Sequence, residues 1–260
     1  WLITDNSVAL LHHDGLRLFI NDTVVDARGG VQTSRLLHLT NLHGGLVMAA
    51  ATAVVAAPMI AAAWRAPHRL GEPSADFCGV AAPCSYDTVR DAEHLALLDQ
   101  LGARRVLVRA AVWERQRLPQ LARWCAQVHE LTGNPVVVAV LQNRASVCVP
   151  RQWCADLAQI FTALGPHAEA FQLPHAPNRT KWGCFHLGEA LDLLAQAERV
   201  RQDFPGVRLA GPAVIDFEPA PLARMLFNRR RFTCDIGTSL LYVDRRGAPE
   251  NTQCGLFDLA

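Results

Sequence analysis

The sequence lacks the motifs that most often disclose a chemistry at once. No G-x-G-x-x-G or G-x-x-x-x-G-K-[ST] run follows the first predicted strand, where CGVAAPCSYD stands instead. The phosphate-cradling loop of a nucleotide-binding sheet is therefore absent. None of the eight cysteines forms a C-x-x-C pair, so we expect structural thiols, with no metal, no cofactor and no essential disulfide.

The chain also lacks a surplus of either charge. It carries 25 basic and 24 acidic side chains, a formal net charge of +1, which gives no long-range field to attract nucleic acid or an anionic membrane surface. Half of its residues are hydrophobic and 19% are charged, a balance typical of an ordered globular protein. We therefore expect a folded chain without a nucleic-acid partner.

One long stretch has no charge at all. Residues 46–64, LVMAAATAVVAAPMIAAAW, form an uncharged run of 19 residues, which as a helix comes close to the roughly 30 Å thickness of a bilayer core. Pro58 would kink that helix unless neighbouring groups satisfy the freed carbonyl. The pattern predicts a membrane span of open orientation, and the alternative is a buried or interfacial helix.

The segments that flank this run carry little chemistry. Residues 1–45 include GLRLFINDTVV at 15–25, whose alternation and Asn21-Asp22 pair predict a short hairpin. This N-terminal segment is either a hairpin of its own or the tail of an upstream domain. Residues 65–75 are polar and contain proline, as expected of a linker.

From residue 76 to 260, short apolar runs alternate with amphipathic stretches at intervals of roughly thirty residues, the pattern of βα units on a parallel sheet. The six predicted strands span residues 77–81, 106–112, 136–141, 169–173, 207–211 and 232–242. Apolar residues recur at helical spacing over 118–131, 153–164 and 187–197. The fold class is α/β, and periodicity alone leaves open either a doubly wound sheet or an incomplete eight-stranded barrel.

The segment FQLPHAPNRTKWG at 171–183 resembles the end of the fourth strand in clan A glycoside hydrolases, in the branch of family 39 and the exopolysaccharide hydrolases. That family reads aromatic, x, aliphatic, Gly, Asn, Glu, Pro, Asn. Four positions of this chain match the pattern: Phe171, Leu173, Pro177 and Asn178. Three positions depart from it, with Pro174, His175 and Ala176 where the family has Gly, Asn and Glu.

The resemblance implies a partial TIM (β/α)8 barrel over residues 76–260, with about six βα units and a C-terminal truncation. Family members use two facing carboxylates, one as proton donor and one as nucleophile. Ala176 stands in place of the donor, and the nucleophile is expected on a seventh strand outside this chain. The resemblance therefore implies a catalytically degenerate protein that binds polysaccharide at the bacterial envelope, tethered through residues 46–64.

Two other functions stay open. An active O-glycosyl hydrolase could use a non-standard acid, for which Glu114, Asp216 and Asp244 are candidates at predicted strand ends. A structural or assembly component of an envelope polysaccharide system is the second alternative. Because donors and indole faces suit sugar hydroxyls and rings, we predict a carbohydrate-binding rim made of Trp113, Asn143, His175, Asn178, Arg179, Lys181, Trp182 and Tyr242.

Overall fold

The computed structural model describes residues 78–178, 182–184 and 186–214 almost completely. It also describes the backbone of short strands at 2–4, 7–9, 17–20, 23–26, 31–32, 215 and 239–240, and single helical positions at 46, 49–50, 52–54, 58, 61, 221 and 225. The predicted apolar helix at 46–64 thus lies mostly outside the described residues. Among the described residues, no helix is both long enough and apolar enough to cross a bilayer.

Short antiparallel strands occupy the N-terminal segment. Strands β1 (Leu2–Thr4) and β2 (Ser7–Ala9) pair with each other. Strand β4 (Thr23–Asp26) lies between β3 (Arg17–Ile20) and β5 (Val31–Gln32). Ile20 stands opposite Thr23, so β3 and β4 form a hairpin.

The centre of the molecule is a parallel five-stranded sheet. Its strands are β6 (Val80–Ala81), β7 (Val106–Ala111), β8 (Val136–Leu141), β9 (Ala168–Gln172) and β10 (Leu209–Ala210), in the order β10-β9-β8-β7-β6. A separate parallel pair joins β11 (Val214–Ile215) to β12 (Ser239–Leu240). The five strands of the sheet therefore overlap the first five predicted ones, and β12 lies inside the sixth.

Helices fill the connections between these strands. They are α1 (Thr88–Gln100), α2 (Leu118–Thr132), α3 (Arg144–Cys148), α4 (Pro150–Leu164) and α5 (Leu187–Arg201), with a 3-10 helix at Val112–Arg117. Pro119 lies in the first turn of α2, where its missing N–H costs nothing, and Gly133 ends α2 at a φ of 70°. The predicted helical stripes at 118–131, 153–164 and 187–197 are confirmed.

The strand order separates the two fold classes that the sequence left open. Each new strand is added on the same side of the last one, with no reversal from β6 to β10. Right-handed crossovers in that order place every connecting helix on one face of the sheet. A sheet covered on one face only must curl to protect the other, so the described part is a partial barrel-like α/β fold.

The core lies between this sheet and the helices. Four aromatic side chains within it are almost completely buried: Trp124, Trp153, Phe161 and Phe171. The rings of Phe161 on α4 and Phe171 on β9 lie 4.7 Å apart between centroids. Cys78, inside the predicted first strand at 77–81, precedes β6 and is exposed.

Gly211 allows β9 and β10 to approach at their carboxyl ends. The backbone N–H of Leu173 donates to the carbonyl of Ala210 at 2.8 Å. A Cβ on Gly211 would lie 2.1 Å from the carbonyl oxygen of Leu173, and the φ of Gly211 is 156°. Only glycine fits a position where backbone meets backbone so closely.

We predict that Gly211→Ala lowers the free energy of unfolding by about 3 kcal/mol or more, because the methyl group meets backbone that cannot rotate away. Urea denaturation monitored by circular dichroism measures the change. Gly165→Ala is the matched control, since a Cβ there meets nothing within 4 Å; it should change stability by less than about 1 kcal/mol. Equal effects of the two substitutions would contradict the packing argument.

Candidate functional site

The carboxyl ends of parallel strands lie together at one edge of a barrel, where such folds carry their sites. Trp113 and Glu114 follow β7, Asn143 follows β8, and His175 and Asn178 follow β9. The structure therefore brings these predicted residues to one edge. The other candidates lie outside the described residues: Arg179, Lys181, Asp216, Tyr242 and Asp244.

A side-chain amide joins the edge where β8 and β9 end. Gln142 Nε2 donates to the carbonyl of His175 at 2.6 Å, and the His175 N–H donates to Gln142 Oε1 at 2.9 Å. Both residues are buried. Gln142 thus continues the strand pairing by one step, although it was not predicted as a site residue.

His175 is an interior residue of this edge. Its side chain is only 5% exposed, and its ring meets the Trp182 indole edge-on with centroids 4.6 Å apart. Its backbone forms a parallel bridge with Ala213 on the neighbouring strand. The structure therefore places His175 in the wall behind the edge, packed against Trp182.

Ala176 stands where the resembling family carries its proton donor. The residue is fully buried, its φ is 44°, and its N–H donates to the carbonyl of Ala213 at 2.8 Å. A left-handed conformation costs a non-glycine residue about 1–2 kcal/mol. The surrounding backbone holds that conformation, and the methyl side chain has no proton to give.

Asn143 begins α3 instead of standing free at the edge. Its Oδ1 accepts a hydrogen bond from the Ser146 N–H at 3.0 Å, and its own N–H donates to the Ser146 hydroxyl oxygen at 3.2 Å, a capping box. The backbone of Asn143 also contacts Gly183, where a Cβ would lie 2.4 Å from the Asn143 carbonyl carbon. Arg144 donates to the Gly183 carbonyl at 2.8 Å, so this connection is docked firmly onto α3.

A second group of side chains lies where β6 and β7 end, and we call it the rim cluster: Tyr86, Glu114 and Arg117. Tyr86 Oη donates to Glu114 Oε2 at 3.1 Å, and the Arg117 guanidinium carbon lies 4.9 Å from the centre of the Tyr86 ring. Trp113, which precedes Glu114 in the chain, is 43% exposed. Sequence reasoning missed Tyr86 and Arg117, although the SYD that follows the first strand was a usable signal.

The electrostatics of the rim cluster keep Tyr86 protonated. Burial raises the pKa of the Tyr86 phenol above its usual range, and the negative charge of Glu114 raises it further. Tyr86 is thus a hydrogen-bond donor to Glu114 at every physiological pH. Arg115 points elsewhere, to the buried Asp156 on α4 at 3.0 Å, which anchors the 3-10 helix.

The thiols in this region are not nucleophiles. Burial raises the pKa of Cys84 to about 11 and the pKa values of Cys125 and Cys184 to about 12, so all three are protonated near neutral pH. The six described cysteines are free. Within the described part of the chain, no three His, Cys, Asp or Glu side chains converge to hold a metal.

Two cavities lie between the helices on the outer side of the sheet. A cavity of about 570 Å³ opens between α3, α4 and α5, with Arg144, Glu189 and Arg199 in its wall. A cavity of about 200 Å³ lies between α1 and α2, and Tyr86 is part of its wall. Neither of these two cavities is lined by Trp113 or Glu114.

We predict that Gln142→Leu lowers the free energy of unfolding by about 2–4 kcal/mol. The substitution leaves a buried N–H and a buried carbonyl of His175 without partners, at a cost of about 1–3 kcal/mol each. Gln159→Leu, the same exchange at an exposed position of α4, should change stability by less than about 0.5 kcal/mol. Thermal and urea denaturation of both variants checks this, and a small effect of Gln142→Leu would refute it.

No protein-family model and no curated protein matches this chain. The chain is similar to the solved structure of virulence factor SghA from Agrobacterium tumefaciens, with 13% identity over 49% of this chain and 36% of that one, and a TM-score of 0.38. It is also similar to a glycoside hydrolase family 30 subfamily 8 xylanase from Clostridium acetobutylicum, with 15% identity over 55% of this chain and 43% of that one, and a TM-score of 0.43. The chain thus spans less than half the length of either protein, and at these TM-scores the likeness adds nothing to the sheet topology described above.

Proposed function

We propose that this protein is a glycoside-hydrolase-like barrel that binds a bacterial surface polysaccharide without hydrolysing it by the ordinary retaining mechanism. The observation that carries the proposal is Ala176, a fully buried methyl side chain at the end of β9. Retaining hydrolysis needs a carboxylic acid to protonate the leaving oxygen, and no such group stands there. We also propose that the barrel belongs to the branch of the exopolysaccharide hydrolases.

The rim supports a binding role. Trp113 offers a half-exposed indole, which is the kind of face that packs on sugar rings. Glu114 and Arg117 add an acceptor and donors for hydroxyl groups within the same 3-10 helix. A site of this composition binds a polyhydroxylated ligand through many small contacts.

An active hydrolase is the second candidate function, favoured by the position of Glu114. Its carboxylate is partly exposed at the carboxyl edge and accepts a hydrogen bond from Tyr86. A glycosidase acid must sit within hydrogen-bond reach of the glycosidic oxygen. Glu114 would have to play that part from β7, the strand two places before the one that carries the acid in the resembling family.

The test is binding and hydrolysis of a panel of bacterial exopolysaccharides by the full-length protein, extended through the expected seventh strand, and by Ala176→Glu and the isosteric control Ala176→Gln in that same protein. We predict that the parent binds at least one polysaccharide and releases no reducing ends. Ala176→Glu should exceed Ala176→Gln in hydrolysis, because general acid catalysis contributes about 10²–10⁴ in rate. Melting temperatures show whether each variant is folded.

Hydrolysis by the parent would contradict the proposal. If that activity fell about a hundredfold or more in Glu114→Gln, Glu114 would be the acid and the second candidate function would stand. Absence of binding by the parent to every polysaccharide would leave the structural or assembly role. The exposed apolar side chains on α1, Val89, Leu97 and Leu101, favour that role.

The proposal includes a membrane tether at residues 46–64, a run without charge. We predict that the protein sediments with envelope membranes and that a variant lacking 46–64 is found in the soluble fraction. A helix of that length and apolarity would supply the anchoring. If the deletion left the distribution unchanged, residues 46–64 would instead be a buried or interfacial helix.

A further inference from the structure

We propose that the rim cluster is a sugar subsite that selects uncharged sugars with neighbouring hydroxyl groups. The inference rests on the proposed function and adds to it the class of sugar and the groups that read it. Its members are Tyr86 from the connection after β6 and Glu114 and Arg117 from the 3-10 helix after β7. The carboxyl ends of two neighbouring strands therefore meet in this cluster.

The Glu114 carboxylate has acceptor capacity to spare. A carboxylate offers about four lone-pair directions, and Tyr86 occupies one of them, on Oε2. Among the described residues, no Lys, Arg or His nitrogen lies within 4 Å of Glu114 to form an ion pair. A carboxylate oriented by one strong donor and left otherwise open can accept hydrogen bonds from two adjacent hydroxyl groups.

Tyr86 is held in a conformation that needs a reason. Its φ is 60°, in the left-handed region, where a bulky side chain costs about 1–2 kcal/mol. Such outliers persist where the surroundings impose them and they cluster at ligand sites. Here the conformation carries the phenol to Glu114 and under the guanidinium of Arg117, so it orders both groups at once.

Arg117 and Arg115 have different tasks. Arg115 is committed to the buried carboxylate of Asp156, which fixes the 3-10 helix against α4. Arg117 is exposed and lies over the Tyr86 ring, with no carboxylate within 4 Å of it in the described part of the chain. A guanidinium above an aromatic ring keeps its five N–H donors, and these can reach ligand oxygens.

The charge balance of the cluster favours a neutral ligand. One carboxylate and one guanidinium sum to zero, and the second guanidinium of the helix is already neutralised by Asp156. A uronate or phosphorylated sugar would add a second negative charge to a cluster in which the charge of Glu114 already offsets that of Arg117, and like charges close together are repelled. An uncharged pyranose meets an acceptor and a set of donors with no such penalty.

Binding of two oligosaccharide panels tests the inference. The neutral panel contains oligosaccharides of glucose, galactose and mannose, and the acidic panel contains those of glucuronate and galacturonate. We expect the parent to bind a neutral oligosaccharide at least about tenfold more tightly than any acidic one. Glu114→Gln keeps the acceptor for Tyr86 but removes the charge; it should weaken neutral binding about tenfold and reduce the discrimination against uronates, since hydrogen bonds to charged groups are worth about that factor.

Two further variants keep the test decisive. Tyr86→Phe preserves the ring under Arg117 and removes the hydrogen bond to Glu114, so it should weaken neutral binding about three- to tenfold. If Glu114→Gln does not fold, the binding measured for Tyr86→Phe decides the test. Glu93→Gln removes an exposed carboxylate on α1 and should leave both panels unchanged, which controls for net charge.

Separate outcomes overturn the inference and the function on which it rests. Tighter binding of uronates by the parent would refute the subsite. The subsite would also be refuted if Glu114→Gln and Tyr86→Phe bound with the affinity of the parent while Trp113→Ala bound more weakly. That result would leave carbohydrate binding intact. Failure of the parent to bind any member of either panel would refute the proposed function, and the subsite would fall with it.

Discussion

Beyond Gln172 the regular ladder between β8 and β9 ends, and the amide of Gln142 takes over the pairing. It donates to the carbonyl of His175 and accepts from the N–H of the same residue, so one side chain satisfies two buried backbone groups. In a dry interior each of those groups would otherwise cost about 1–3 kcal/mol. This pairing fixes the position of His175. Two neighbouring features depend on it: the left-handed conformation of Ala176 and the bridge of His175 to Ala213.

This fixed point also decides what the β9 end can do. The described side chains there are largely packed: the His175 ring lies against Trp182, and the Ala176 N–H donates to the carbonyl of Ala213. In a family that keeps a catalytic acid at this place, the same edge would have to leave an ionisable group accessible. Among the described residues, exposed aromatic and charged side chains lie instead at the β7 end, at Trp113 and Arg117.

Much of the scaffold could be predicted from the sequence because its signals are local. The run VVVAVL is apolar on both sides, and the strand β8 has the predicted bounds 136–141. The apolar stripe of α4 repeats at helical spacing, and its members are buried: Trp153, Leu157, Ile160, Phe161 and Leu164. β11 was not predicted, because Gly211 and Pro212 interrupt the apolar run before it. Its pairing with β12 joins residues that are distant in sequence, so no local pattern indicates it.

The site was harder to predict than the scaffold because its contacts are not local. Tyr86 and Glu114 are 28 residues apart. No sequence periodicity indicates that a phenol will contact a carboxylate that follows the next strand. Asn143 was predicted to face a ligand, and the structure shows that its Oδ1 caps α3. Asn is one of the residues preferred at the N-cap of a helix, so this use of Asn143 was open to prediction from the sequence.

The rim cluster, like the β9 end, is held in place by contacts with neighbouring elements. At the rim, an ion pair between Arg115 and the buried Asp156 holds the 3-10 helix to α4, and Tyr86 joins the β6 connection to Glu114. Groups fixed in this way lose little conformational freedom when a ligand binds, so more of each contact appears as affinity. A surface arranged for binding needs such preorganisation as much as a catalytic one does, and it needs no proton donor.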